Sequence, residues 1–133
     1  MPLTVSFVTP DKHVTEAEVD MVTAPSAMGQ VGILPNHRSL LAELVPGVVE
    51  LKQGAYVEEF AISGGFLEVD RNHVALLVET AERPGEIDVE RARAALADSE
   101  AALKKLSPAD SAYQDNLARV VRARVRLSVA GRS

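Results

Sequence analysis

The sequence predicts a β-sandwich followed by a two-helix hairpin, and three observations carry that expectation. The hydrophobic period switches at Arg83-Pro84-Gly85 from strand-like alternation to helical spacing. Upstream, short apolar runs are cut every few residues by Gly, Pro, Asp or Asn; downstream, no glycine follows Ile87 until Gly131. Charge changes at the same place. Residues 1–87 carry 5 Lys and Arg against 13 Asp and Glu, a net of −8, and residues 88–133 carry 9 against 6, a net of +3. The expected division is residues 1–86 as a β-sandwich domain and 87–133 as a helical hairpin. The second part is too short to bury a core alone, so it needs the β body, a ligand or a partner to stay ordered.

Taken in order, Leu3-Thr4-Val5-Ser6-Phe7 alternates strictly and puts Leu3, Val5 and Phe7 on one strand face. Pro10-Asp11 signals a turn, and Val19-Asp20-Met21-Val22 resumes a strand. Pro25 to Gly29 reads as a loop, and Gln30 to Leu34 as a short apolar stretch stopped by Pro35-Asn36. Leu40-Leu41 and Val48 to Leu51 flank Pro46-Gly47, and Gln53-Gly54 marks a hairpin into Tyr56-Val57. Phe60-Ala61-Ile62, Phe66 to Val69 and Val74 to Val78 complete the set, the last two joined by Asp70-Arg71-Asn72. Many short strands at this spacing favour a sandwich.

Asp88 suits an N-cap, with Glu90 in the first turn where the dipole favours an acid. Val89, Ala92, Leu96, Ser99, Leu103 and Leu106 form one narrow stripe. Ser107-Pro108 is expected to stop this helix and open the next, with Asp110 completing a capping-box-like pattern. Tyr113, Leu117, Val120, Val121 and Leu127 line the second helix, and the one-residue break implies an antiparallel hairpin.

Much chemistry is absent. With no Cys, neither disulfides nor thiolate metal sites are possible. His13, His37 and His73 show no i,i+4 pairing and no ligand cluster, so no metal site is expected. Ser63-Gly64-Gly65 lies between strands rather than on a nucleophile elbow, and fits a bulge or tight turn. Gly29-x-x-Gly32 lacks the Gly-Lys-Ser/Thr of a phosphate loop. No catalytic residue is expected. The start Met1-Pro2-Leu3-Thr4 shows no signal-peptide pattern, no apolar run approaches the ~20 residues of a membrane span, and the net charge of −5 argues against nucleic acid as a partner. A soluble, cytoplasmic chain is expected.

One cluster stands out. Arg119, Arg122 and Arg126 share a face of the second helix, and no acid follows Asp115. Cations at a helix C-terminus offset the macrodipole; guanidinium forks also match phosphate or carboxylate. In a hairpin Arg122 and Arg126 approach Asp88 and Arg91, where an interhelix salt bridge is the plainer outcome.

Two segments resemble a known family. Gly29-Gln30-Val31-Gly32-Ile33-Leu34-Pro35-Asn36-His37 and Ser63-Gly64-Gly65-Phe66-Leu67-Glu68-Val69 closely resemble the epsilon subunit of bacterial and chloroplast rotary (F-type) ATP synthases. The order of parts is similar too: sandwich, then Ile87-Asp88-x-x-Arg91-Ala92, then a hairpin ending Arg126-Leu127-Ser128-Val129. The resemblance implies a ten-stranded sandwich and two helices in a non-catalytic central-stalk subunit of a proton-translocating complex. Such a subunit couples rotation between the catalytic head and the c-ring, and its hairpin can extend to inhibit ATP hydrolysis. Implied partners are the gamma subunit, the c-ring loops and the alpha/beta hexamer through an acidic loop of beta. Membrane association is then peripheral, through the complex, on the cytoplasmic face of the inner or plasma membrane.

The resemblance places a c-ring or gamma contact at Gly29, Gln30, Val31, Gly32, Ile33, Leu34 and His37, in a glycine-rich loop. Many relatives have an acid at Gln30. No cofactor is required, but some members bind ATP as a regulatory ligand. The matching positions here are Glu82, Ile87, Asp88, Arg91, Ala92, Arg122 and Arg126, with adenine near Ile87, Asp88 and Ala92 and the arginines on phosphate. ATP-binding relatives carry a further arginine where this chain has Asp98, whose carboxylate repels phosphate by about 1 kcal/mol at 4 Å in water. A free-standing ATP-sensing module, outside any complex, is the alternative reading.

Overall fold

The computed structural model describes residues 2–10 and 13–130; the turn expected at Pro10-Asp11 reaches beyond the described residues. Ten strands come first: β1 (Leu3–Val8), β2 (His13–Val19), β3 (Met21–Ser26), β4 (Gly29–Ile33), β5 (Leu40–Leu44), β6 (Gly47–Gln53), β7 (Tyr56–Ile62), β8 (Gly65–Asp70), β9 (His73–Val78) and β10 (Ala81–Glu82). One 3-10 turn, Pro84–Glu86, leads to α1 (Val89–Lys104) and α2 (Ser111–Ala130).

The strands form two layers that share β3. Its Met21–Thr23 pair with Lys52–Glu50 of β6, whereas Ser26 pairs with Leu44 of β5. One layer is therefore β4-β3-β6-β7-β10, and the other is β5-β8-β9-β1-β2. All pairings are antiparallel except β1 with β9. Between the layers lie Leu3, Val5 and Phe7 of β1, Val22 and Ala24 of β3, Val49 and Leu51 of β6, Phe60 and Ile62 of β7, and Leu67, Val69, Val74 and Leu76. Phe7 and Phe60 meet across the core with ring centroids 4.5 Å apart. Alternation in β1 sends its three apolar residues inward, as expected.

Several boundaries differ from the sequence reading. Val19 to Val22 is not one strand: Asp20 turns the chain, and its carboxylate accepts from Gly54 N at 2.8 Å. Pro25 belongs to β3, so the loop from Pro25 to Gly29 shrinks to Ala27 and Met28. The segment Gly29–Ile33 is an edge strand rather than a glycine-rich loop, hydrogen-bonded to β3 along its length. The pattern reading also has no counterpart for β2, which pairs with β1 at one edge.

The hairpin forms with a changed joint. Asp88 caps α1 as expected, its Oδ1 accepting from Arg91 N at 3.0 Å. Ser107 and Asp110 do pair reciprocally, Ser107 N to Asp110 Oδ2 and Asp110 N to Ser107 O, both at 2.8 Å. That pairing closes a turn instead of opening a helix. The break therefore spans residues 105–110, not one residue, and Pro108 lies before α2. Ala92, Ser99, Val120 and Ala123 are buried in the hairpin, and Arg124 Nη2 bridges to Glu100 Oε2 at 3.0 Å.

A second, smaller core docks the hairpin. Ala61, Ile87 and Val129 are its buried members, with Val48, Val125 and Ala130 against them. Ala61 lies on the face of β7 opposite Phe60 and Ile62. This explains the unbroken apolar run Phe60-Ala61-Ile62: both faces of that strand end are covered.

Candidate functional site

At the seam between sandwich and hairpin is a cavity of about 700 Å³. The strand ends contribute Thr9, Ser63, Glu79, Thr80 and Glu82; α1 contributes Arg91 and Ala95; α2 contributes Arg119, Arg122, Ala123 and Arg126. Helical spacing explains the convergence. Arg119, Arg122 and Arg126 recur at spacings of 3 and 4, so α2 presents one face of arginines, with Ala123 beside Arg122 allowing close approach to α1. The volume falls in the range of small-ligand sites.

The four arginines are not equivalent. Arg126 grips Glu82 with two bonds, Nε to Oε1 at 2.8 Å and Nη2 to Oε2 at 3.2 Å. Among the described residues, Arg91, Arg119 and Arg122 have no ion pair. Arg83, at the joint, is engaged elsewhere: its Nε donates to Glu58 Oε2 at 3.1 Å, and its guanidinium stacks 5.0 Å from the Phe60 ring centroid. Cations held together in a concave, partly apolar seam are arranged to receive an anion with several negative oxygens.

Of the sequence candidates, Glu82, Arg91, Arg122 and Arg126 line this cavity; Ile87, Asp88 and Ala92 do not. Ile87 is buried against Ala61 and Val129, Ala92 is fully buried, and Asp88 is spent on the helix cap. The Ile87 and Ala92 side chains therefore offer little exposed surface to a base. Asp98 is exposed and outside the lining. Arg119, which the family pattern leaves out, does line it. Its position on the 119–122–126 stripe was the available signal.

The second set of candidates is split along one strand. Gly29, Gln30 and Gly32 are exposed and Val31 half-buried, but Ile33 is fully buried in the main core and offers a partner no surface. Leu34 is exposed and His37 half-buried at the opposite strand end, where Asn36 N donates to Asn72 Oδ1 at 2.6 Å. Met28, beside Gly29, is 97% exposed.

A further surface was not anticipated. Strand register aligns Glu43, Phe66, Leu77 and Val8 in one row across β5, β8, β9 and β1, with Leu41 opposite Glu68 beside it. Phe66, Leu77, Val8 and Leu41 are all exposed, on the face of this layer that points away from the core. Alternation places Phe66 outward, but only the register shows that it meets Leu77 and Val8. Among the described residues, no group of His, Asp or Glu could hold a metal, and no helix is long and apolar enough to cross a membrane.

The fold and the seam define a class: a small β-sandwich carrying a docked helical hairpin with a cationic cavity between them. The ATP synthase Delta/Epsilon chain β-sandwich domain profile matches residues 2–84, and the profile of the same family's long alpha-helix domain matches residues 86–131. The ATP synthase epsilon chain of Geobacter metallireducens is 46% identical over 131 residues, covering 98% of this chain and 95% of that protein. The Geobacter sulfurreducens epsilon chain is 45% identical with the same coverage. A chain of the Euglena gracilis mitochondrial ATP synthase, from its OSCP/F1/c-ring assembly, matches with a TM-score of 0.81 at 24% identity, covering 97% of this chain and 81% of that one. At that identity the likeness is one of fold. The chain belongs to the ATP synthase epsilon chain family.

Proposed function

We propose that this chain is the non-catalytic central-stalk subunit of an F-type, proton-translocating ATP synthase, and that its hairpin regulates ATP hydrolysis in response to bound ATP. The seam carries this reading: the hairpin rests on a small apolar cluster and the bidentate Arg126–Glu82 pair, around a cavity whose Arg91, Arg119 and Arg122 have no ion pair among the described residues. Two buried aliphatic side chains contribute about 1.5–3 kcal/mol each, so a ligand bridging both parts can shift the balance between docked and released. ATP in the seam favours the docked form; its loss favours extension toward an acidic loop of beta in the alpha/beta hexamer.

The sandwich supplies assembly. The exposed row of Phe66, Leu77 and Val8, rimmed by Glu43 and Glu68, suits the gamma subunit, because a partly apolar patch with a charged rim is the anatomy of a protein interface. The Met28 turn with Gly29 and Gln30 suits the polar loops of the c-ring, and it joins the membrane surface only through that complex.

Two experiments test this on native membranes. Tagged full-length chain is expected to co-purify with gamma, alpha and beta; recovery alone sinks the assembly reading. Deleting residues 88–133 is expected to keep gamma bound while raising ATP hydrolysis severalfold. Unchanged hydrolysis would remove the hairpin's regulatory role.

A further inference from the structure

The hairpin packs on the outward face of the β4-β3-β6-β7 layer at Val48 and Ala61, where Val129 is buried and Ala130 lies against the same cluster. Next to Val48 on this face is a groove of about 460 Å³ lined by Pro25, Gln30, Val48, Glu50 and Glu59. Glu50 and Glu59 are directly opposed in the β6–β7 register, and like charges facing across strands favour a cation held between them. Thr23, itself buried, donates to Glu50 Oε1 at 3.1 Å and fixes that carboxylate.

Ala130 is followed in sequence by Gly131-Arg132-Ser133. Glu50 and Glu59 lie two residues along their strands from Val48 and Ala61, a step of roughly 7 Å. Two residues of extended chain cover about 7 Å, before the Arg132 side chain is counted. Glycine also lets a chain leave a helix axis in directions closed to other residues. We infer that Arg132 docks into this groove, its guanidinium bridging Glu50 and Glu59, so that the segment after α2 latches the hairpin to the sandwich. The planar fork of arginine suits two facing carboxylates. The latch requires the docked hairpin alone, and neither a nucleotide nor a partner subunit. Lys52, two residues beyond Glu50 on the same face of β6, is the rival cation on that strand.

The test is amide hydrogen exchange of the full chain, read at residues 126–130 of α2. Arg132→Gln is expected to speed exchange there about two- to fivefold, the effect of losing a partly exposed ion pair, while the Phe7 and Leu67 amides of the main core exchange as before. Glu59→Gln is expected to do the same, and the double variant to add nothing to either single change. The charge swap of Arg132→Glu with Glu59→Arg restores the wild-type rate, and Lys52→Gln leaves it unchanged. Exchange unaltered by Arg132→Gln, or effects of Arg132→Gln and Glu59→Gln that simply add, overturn the latch. A response to Glu59→Gln coupled to Lys52→Gln rather than to Arg132→Gln gives the groove to Lys52 and overturns it as well. Failure of ATP to bind, or of the chain to join a complex, changes none of these outcomes.

Discussion

Gly65 has a φ of 143°, and a Cβ built there would overlap the Leu77 carbonyl oxygen. Gly64, beside it, has a φ of 115°. The Ser63-Gly64-Gly65 motif is thus a backbone device: it lets β8 start close against β9, and Ser63 Oγ accepts from Thr80 N at 3.1 Å to fasten the strand ends. Gly65→Ala is expected to destabilise the sandwich by about 2 kcal/mol or more, since strain and overlap act together; urea unfolding monitored by circular dichroism measures it. A cost below about 0.5 kcal/mol would contradict the crowding. Asp88 acts at a different level. Its carboxylate satisfies the Arg91 amide, so Asp88→Ala should cost about 1 kcal/mol, read as faster amide exchange in the first turn of α1 while the strands exchange as before.

For the elements, β7 and α2 carry the most information. β7 is covered on one face by the opposite layer and on the other by the hairpin, but only near its end. Val129, at the far end of α2, is the fully buried residue of the docking cluster. Val129→Asp is expected to release the hairpin without melting the sandwich, because a lone carboxylate cannot stay in an apolar cluster. Loss of amide protection across residues 124–130, with strand protection unchanged, is the measurement; unchanged protection in α2 would refute it.

How legible each element was follows from its chemistry. α1 was readable because an N-cap and a narrow stripe coincide at one end. The start of α2 was not, because Ser-x-x-Asp serves a turn as well as a cap. β1 and β8 show clean alternation, whereas β2 mixes acids with small residues along an edge and has little apolar contrast. Gly29–Ile33 looks like a loop through its glycines, and only pairing with β3 makes it a strand. Arg91, Arg122, Arg126 and Glu82 could be matched by motif. The Arg126–Glu82 pair and the burial of Ile87 depend on residues 44 and 42 positions apart in sequence, so spacing could not reveal them.

For the whole molecule, two separate cores imply two separable stabilities. The chain of residues 1–86 should unfold as one cooperative unit, keeping the main core and its outward Phe66 row. Phe66→Glu is expected to leave that transition within about 0.5 kcal/mol, as surface changes do, while weakening gamma binding about tenfold or more in pull-downs at graded concentration. Equal binding would move the gamma contact elsewhere on the sandwich. The joint through Arg83 to Asp88 is firmly seated, with Arg83 fixed to Glu58 and Glu86 N bonded to Arg83 O at 3.0 Å. Release of the hairpin is therefore expected to begin at the Val129 end rather than at this joint.

The forked strand β3 has a mechanical consequence. Because its first half zips onto β6 and its last residue onto β5, a tug entering along β4 divides between both sheets. Neither layer can slip over the other without tearing that strand from a neighbour. A partner gripping this body would therefore meet a stiff block.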